Sequence, residues 1–307
     1  MDSNLGPMNA VPYDPRAFPP FAVTVDIAVF TLVDLPVPPK SGRLPRKELA
    51  AVLVVRGGEV EAGRHALPGG FVLEDEDLPA AAIRELREEA GLHLPESAMH
   101  QFRAYGRPDR DPRMRVVTVA YTALARIEDA LSAGTDATAV EIVPVRRILD
   151  GEVTLAFDHG QILEDAREFV SALIEETSAV LELCPDSFSL TELRHVCEAV
   201  WGFRVDRATF NKRAVNIEGF IEQDDSPEPR ELEVPPRLLT SASFATVADP
   251  SPWISDPSAA RRGRPARRYR AGTARTLHPP LLRPRERLKR TDSWLEHLSV
   301  ESMTTEE

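Results

Sequence analysis

One stretch limits what this chain can become more than any other. Residues 70–92 read Gly-Phe-Val-Leu-Glu-Asp-Glu-Asp-Leu-Pro-Ala-Ala-Ala-Ile-Arg-Glu-Leu-Arg-Glu-Glu-Ala-Gly-Leu. The pattern places Glu85, Glu88 and Glu89 at helical positions i, i+3 and i+4, which lie on one face of a helix. Three carboxylates on one face repel each other and weaken the helix that carries them. A role that offsets this cost is to hold a hard divalent cation, Mg²⁺ or Mn²⁺, through oxygen ligands. Such a cation in turn implies a phosphate or pyrophosphate group nearby.

The flanks predict a turn followed by a helix. Gly69 and Gly70 allow a tight backbone bend. Asp77 is the expected N-cap, and Pro79 is tolerated in the first turn. Ile83, Leu86 and Ala90 can face a core, and Gly91 suits the left-handed position that ends a helix. Arg84 is expected to pair with Glu76 and steady the loop against the helix. An acidic run is usually just a solvated face, but the full pattern with both flanking glycines argues against that here. Gly70, Glu76, Arg84-Glu85, Glu88-Glu89 and Gly91 resemble the Nudix box at every defining position.

That resemblance covers about residues 21–180. It implies an α/β protein, with the α/β/α sandwich and mixed sheet of the Nudix fold. It also implies Glu85, Glu88 and Glu89 as metal ligands, with Arg84 and Glu76 beside them in the catalytic set. The catalytic base stays open, either a box glutamate or an acid on a distant loop. Gly69 and Gly70 shape the ligand site. Arg56, at the end of a central strand, and Arg107 are candidate phosphate contacts, although a solvated surface arginine is an equal reading of both. Asp158 reads as a helix N-cap with His159 in the first turn, not as an acid/base pair.

The order of elements fits a mixed sheet with helices on its faces. Strands are predicted over 21–33, 49–56, 102–107, 116–124 and 142–148. The run 66–72 leads into the box helix, roughly 78–90. A second helix is predicted over 161–183, where Ile162, Ala166, Phe169, Val170, Leu173 and Ile174 repeat at helical spacing. Residues 1–20, rich in Pro and Gly, read as a flexible N-terminus. The run Phe21 to Leu35 is interrupted by Asp26 and Asp34 and rich in β-branched residues, so it reads as a buried strand and not as a signal or membrane span. With two cysteines, Cys184 and Cys197, and no CxxC spacing, neither a disulfide framework nor a zinc site is expected, and a cytoplasmic location is.

A second module begins near residue 183. Ser189-Leu-Thr-Glu192 is a capping-box pattern. Leu190, Leu193, Val196, Cys197, Val200 and Trp201 then form an apolar stripe that Gly202 stops. Asp206 caps another helix, 207–217, with Phe210, Ala214 and Ile217 inward. Its other face carries Arg207, Asn211, Lys212 and Arg213, with Thr209 in its first half. Gly219 to Glu222 reads as the start of a strand. Helix, short turn, polar basic helix, then strand is the layout of a winged helix-turn-helix. The net charge of −12 argues against a nucleic-acid binder, but its distribution reverses the argument. Between Arg261 and Arg290 the bases are opposed by Glu286 alone, and a polyanion meets the local block within a Debye length.

Thr191 to Gly202 and Gly263-Arg-Pro-Ala-Arg-Arg-Tyr-Arg270 resemble winged-helix segments of the NrtR family, Nudix-related transcriptional regulators of NAD metabolism. Val23 to Thr31 and Leu155 to His159 are also similar to that family. The resemblance implies a Nudix domain over 21–182 that binds ADP-ribose. It further implies a DNA-binding winged helix over 183–272 and assembly as a homodimer. Arg207, Thr209, Asn211 and Lys212 would reach base edges and phosphates of double-stranded DNA, and Arg264, Arg267, Arg268 and Arg270 would hold phosphates from the wing. The chain departs from the pattern in a Pro-, Ser- and acid-rich insertion over 223–260, expected to be disordered, and in a flexible tail over 273–307. Three functions remain: an ADP-ribose-responsive regulator, an Mg²⁺-dependent pyrophosphohydrolase, and an inactive scaffold that binds a protein through the insertion.

Overall fold

The structure is a computed structural model and describes residues 20–35, 46–57, 59–127, 140–225 and 266–283. The expectations for 1–19, for most of the 223–260 insertion, for Arg264 and for 284–307 fall outside the described residues. The central element is β1 (Ala22–Asp34), whose inner residues are buried without a break. It runs parallel to β6 (Val116–Leu124) and antiparallel to β2 (Lys47–Val55). The sheet order is β3-β2-β1-β6-β5, with β3 (His65–Ala66) and β5 (His100–Tyr105) at its ends. Two short strands complete it, β4 (Gly69–Phe71) on β1 and β7 (Val140–Pro144) on β2.

Alternation along the strands divides the core into two layers. Val25, Ile27 and Val29 face the side covered by α1 (Leu78–Ala90), meeting Ala81, Ala82 and Leu86. Ala28 and Phe30 face the other side, with Leu49, Ala51 and Leu53. That side is covered by α3 (His159–Glu176), which buries Ile162, Leu163, Ala166, Val170 and Ile174. A 3₁₀ segment, Ser178–Leu183, follows it. The strand expected over 142–148 divides. Pro144 closes β7, and Val145–Leu149 turns into the short helix α2. Proline has no N–H for the ladder and a fixed φ that suits the entry to a helix.

The second module is a winged helix. Helix α4 (Leu190–Trp201) begins with the full capping box: Ser189 Oγ accepts from Glu192 N, and a Glu192 carboxylate oxygen accepts from Ser189 N. Gly202, in the left-handed region, ends it. Helix α5 (Arg207–Asn216) is capped by Asp206, which accepts from Thr209 N at 2.8 Å. A three-stranded sheet, in the order β8 (Phe188–Ser189), β10 (Arg268–Ala271), β9 (Ile221–Gln223), forms the wing.

The two modules share one core. Leu193, Val196, Cys197 and Val200 of α4 lie in the same buried cluster as Phe30 and Leu53 of the sheet, and α4 packs against β2. Trp201 Nε1 donates to the carbonyl of Ser171 on α3 at 3.1 Å. The expected tail from residue 273 is a correction. The chain stays packed as far as Arg283, because Leu277 and Leu281 bury their side chains and their N–H groups find carbonyl partners at the end of α3. Among the described residues no helix is long and apolar enough to cross a membrane.

Candidate functional site

A cleft of about 560 Å³ opens beside α1 at the ends of β1 and β2. Gly69, Gly70, Arg84, Glu85, Glu88 and Glu89 line one wall, and Arg56 lines another. The glycines are there because the backbone must pass close to its neighbours. A Cβ on Gly69 would stand 2.2 Å from the Val25 carbonyl oxygen, and one on Gly70 would stand 2.3 Å from Glu85 Oε1.

Helix α1 sets the carboxylates. Asp77 accepts from Leu78 N at 2.8 Å, and Gly91 ends the helix at φ 65°. Arg84 organises the exposed face. Its Nε and Nη2 donate to the two oxygens of Glu76 at 2.8 and 2.7 Å, and Nη2 also reaches the Phe71 carbonyl at 3.1 Å. Its Nη1 donates to Glu85 Oε1 at 2.7 Å and to Glu88 Oε2 at 3.2 Å. The Arg84 guanidinium holds the Glu76 carboxyl below the usual range. Glu89 turns the other way and accepts from Gly69 N at 2.9 Å. Burial pushes the Glu89 carboxyl up, against the pull of that N–H.

These side chains can be tested against a divalent cation. The donor set is all carboxylate oxygen, the chemistry a hard cation requires. Glu85 and Glu88 already converge on one positive nitrogen, so the backbone brings two of the three carboxylates to a shared point. Among the described residues no three His, Cys, Asp or Glu side chains are gathered as a cage, since Glu89 is directed at the Gly69 N–H. The residues fit the cation in kind, with Arg84 occupying the charge-balancing role.

Sequence reasoning missed the opposite wall, formed by Asp26, Arg110, Asp111, Arg113, Phe157 and His159. Arg110 is buried between two carboxylates. Its Nη2 donates to Asp26 at 3.1 Å and to Asp158 at 2.8 Å, and its Nε to Asp158 at 3.0 Å. Asp158 stands at the start of α3, but its side chain makes no capping bond; the charged pair with Arg110 wins. His159 is buried, as the first-turn reading did not foresee. Leu67 N donates to its Nδ1 at 2.9 Å, so Nε2 carries the proton and faces Asp26 Oδ1 at 3.5 Å. Burial holds His159 below its ordinary value, with Asp26 and Asp158 opposing.

Phe157 sits at φ 50°, a left-handed conformation that costs a bulky residue about 1–3 kcal/mol. Its ring is flanked by Arg56, 4.5 Å from the centroid, and by Arg113 at 5.8 Å. Arg113 also lies 5.7 Å from the Phe71 ring, steadied by charged bonds from its Nε and Nη2 to the Asp111 carboxylate. Arg107 does not join this cleft. It pairs with Asp109 on the exposed rim of a second cavity, because the two residues are neighbours on a tight loop. One signal was legible: an acid, Asp26, set among the apolar and β-branched residues in the middle of β1 demands a buried partner.

The winged helix offers a second surface. Arg207, Thr209 and Lys212 are exposed on α5, and Arg267 is exposed before β10. Asn211 departs from the expected face: it is half-buried, and its Oδ1 is enclosed with no hydrogen-bond partner. Arg268 departs too. It donates to Glu192 at 3.0 Å and to Ser187, which ties the wing to the start of α4. Arg270 pairs with Glu222 across the wing at 3.0 Å and remains largely exposed.

Comparison with known proteins identifies both modules. The NUDIX domain family matches residues 43–166, and the NrtR DNA-binding winged helix domain matches residues 180–230. The ADPR responsive transcriptional repressor NtrR of Acinetobacter baylyi is 29% identical over 215 residues, covering 69% of this chain and 79% of that protein. The ADP-ribose pyrophosphatase of Methanocaldococcus jannaschii is 36% identical over 119 residues, covering 39% of this chain and 66% of its own length. The crystal structure of Shewanella oneidensis NrtR superposes with a TM-score of 0.55 at 28% identity, over 66% of this chain and 87% of that one. Its complex with a 27mer DNA gives 0.55 at 25% identity, over 83% and 99%. This chain is a NUDIX domain joined to an NrtR winged helix DNA-binding domain, and it is homologous to the NrtR and NtrR regulators.

Proposed function

We propose that this chain is an ADP-ribose-responsive, DNA-binding transcriptional regulator of NAD metabolism that acts as a cytoplasmic homodimer. The observation that carries the reading is that a cleft of arginines, aromatic rings and clustered carboxylates is built on a sheet whose other face shares one hydrophobic core with a winged helix. The cleft has the chemistry of a nucleoside diphosphate site. Arg56 and Arg113 offer charged donors to diphosphate oxygens, and Phe157 and Phe71 offer ring faces to a base. Glu85, Glu88 and Glu89 would hold Mg²⁺ or Mn²⁺. That cation, when bound, neutralises diphosphate charge and acidifies a coordinated water.

ADP-ribose as the effector is supported by the relatives, one named for its response to it and one for its hydrolysis. DNA as the partner is supported by the relative crystallised with a 27mer. In this reading α5 enters the major groove, where Arg207, Thr209 and Lys212 meet bases and phosphates, and Arg267 and Arg270 hold phosphates from the wing.

The complete carboxylate pattern favours a second reading, a pyrophosphohydrolase that releases AMP and ribose 5-phosphate from ADP-ribose. One incubation separates the two. The protein is mixed with ADP-ribose and Mg²⁺, and both AMP release and affinity for a palindromic duplex are read. A sensor lets go of the duplex without releasing AMP. A hydrolase releases AMP, and Glu88→Gln abolishes it. Equal affinity for random and palindromic DNA ends the regulator reading, and unchanged turnover in Glu88→Gln removes the metal role of that carboxylate.

A further inference from the structure

Residues 272–283 lie outside the stretches that either family matches. In the structure they form a strap. It leaves the wing at Gly272, whose N–H donates to the Phe220 carbonyl at 2.9 Å, and Ala274 N donates to the Gly219 carbonyl at 2.9 Å. A Cβ on Gly272 would stand 2.0 Å from that Gly219 oxygen, so the strap hugs the turn after α5 only because a glycine is there. It then crosses the C-terminal end of α3. Ser178 N donates to the Arg275 carbonyl at 3.0 Å, and Leu277 N and Leu281 N donate to the carbonyls of Glu176 and Glu175, both at 2.7 Å. Leu277 and Leu281 are buried. Arg283 closes the strap by pairing with Glu168 at 3.1 Å and with Glu175. One residue earlier, the Leu282 carbonyl accepts from Arg213 Nη1 of α5 at 3.1 Å.

The other end of α3 is a wall of the cleft. His159 opens the helix, Asp158 clamps Arg110, and the left-handed Phe157 comes just before. At 18 residues, α3 is a rod of roughly 27 Å. It therefore links the cleft at one end to the strap at the other. The strap in turn holds α5, the turn after it, and the wing. The winged helix rests on α4, which packs against β2 and is hydrogen-bonded to α3 through Trp201, and on the strap, which is held against the far end of α3. A shift of α3 against the sheet moves the strap relative to the β2 contact of α4 and tilts α5.

We propose that the strap, residues 272–283, is the coupling element through which occupancy of the cleft sets the DNA affinity of the winged helix. The proposal rests on the ADP-ribose-responsive reading above. A ligand shifts an affinity only by its unequal preference for two arrangements, and here those arrangements are two positions of α3 under the strap.

The test uses the full chain and a duplex that the protein selects from a random pool. Duplex Kd is measured by anisotropy with and without saturating ADP-ribose, and the ADP-ribose Kd by calorimetry. The wild type should show a ratio of duplex affinities within roughly 5- to 150-fold. Arg283→Ala removes the ion pairs that fasten the end of the strap to α3, and Arg213→Ala removes its hydrogen bond to α5. In both, the ratio should fall toward 1, while Arg283→Ala keeps wild-type affinity for ADP-ribose and for the duplex alone. A wild-type ratio in both variants overturns the strap proposal and leaves the sensor standing. A wild type whose duplex affinity ignores ADP-ribose overturns the sensor reading and the strap with it. Thermal melts accompany both variants; should Arg283→Ala fail to fold, Arg213→Ala, which breaks an exposed contact, decides.

Discussion

Gly69 and Gly70 stand side by side and should fail differently when given a side chain. A methyl on Gly69 meets backbone, the Val25 carbonyl, which cannot move without disturbing the sheet. A methyl on Gly70 meets the Glu85 carboxylate, the free end of a flexible side chain. Gly69→Ala should cost about 1–3 kcal/mol by overpacking. Gly70→Ala should stay within about 1 kcal/mol of wild type but displace Glu85, so ADP-ribose binding in the presence of Mg²⁺ should weaken. Urea titration and calorimetry on both variants check this, and equal stability losses would contradict it. His159 gives a second prediction. Its native value lies below the ordinary imidazole value near 6.5, so the unfolded chain binds the extra proton first as pH falls. The stability contributed by neutral, buried His159 is present above about pH 6.5 and is lost as pH falls below it. The melting temperature should drop from pH 7 to pH 5.5 in wild type, and drop less in His159→Asn, which can still accept from Leu67 N. The box side of the cleft was legible because its residues sit within one helix and one turn. The other wall was not, because Asp26, Arg110, Arg113 and Phe157 come from three distant segments that only the sheet brings together.

Helix ends were the most legible elements. The caps at Asp77 and Gly91, and at Ser189 and Gly202, fixed α1 and α4 in the sequence because each uses local chemistry. The strand expected over 142–148 is Val140–Pro144 in the structure, because apolar periodicity does not register that Pro144 ends a ladder. The strap was missed for another reason. Its composition is that of a basic tail, and its order comes from two leucines and backbone bonds to a helix about a hundred residues away. The capping box makes a prediction at this scale: Ser189→Ala should lower stability by about 1 kcal/mol, read by urea denaturation. The wing makes another. Lys212 is exposed on α5, whereas Arg268 is held by Glu192 and Ser187. Lys212→Ala should reduce the slope of log affinity against log salt by about 1 if it meets a phosphate. Arg268→Ala should lower stability and leave the slope unchanged. The reverse pattern would place the phosphate contact on Arg268.

At the scale of the molecule, one buried cluster runs from the sheet through α3 and α4 to α5 and the wing. The acidic body, −12 overall, contributes nothing attractive to a polyanion, so DNA must be met by the local bases of α5 and the wing. A continuous core also means that ligand and DNA act on one folding unit. The cleft and the winged helix are, on this reading, thermodynamically linked, and linkage is reciprocal. The most direct measurement is the calorimetric Kd for ADP-ribose, with and without a saturating amount of the duplex the protein selects. Bound duplex should weaken ADP-ribose binding by the same factor by which ADP-ribose weakens the duplex. An ADP-ribose Kd that is identical in the free and DNA-bound protein would contradict it.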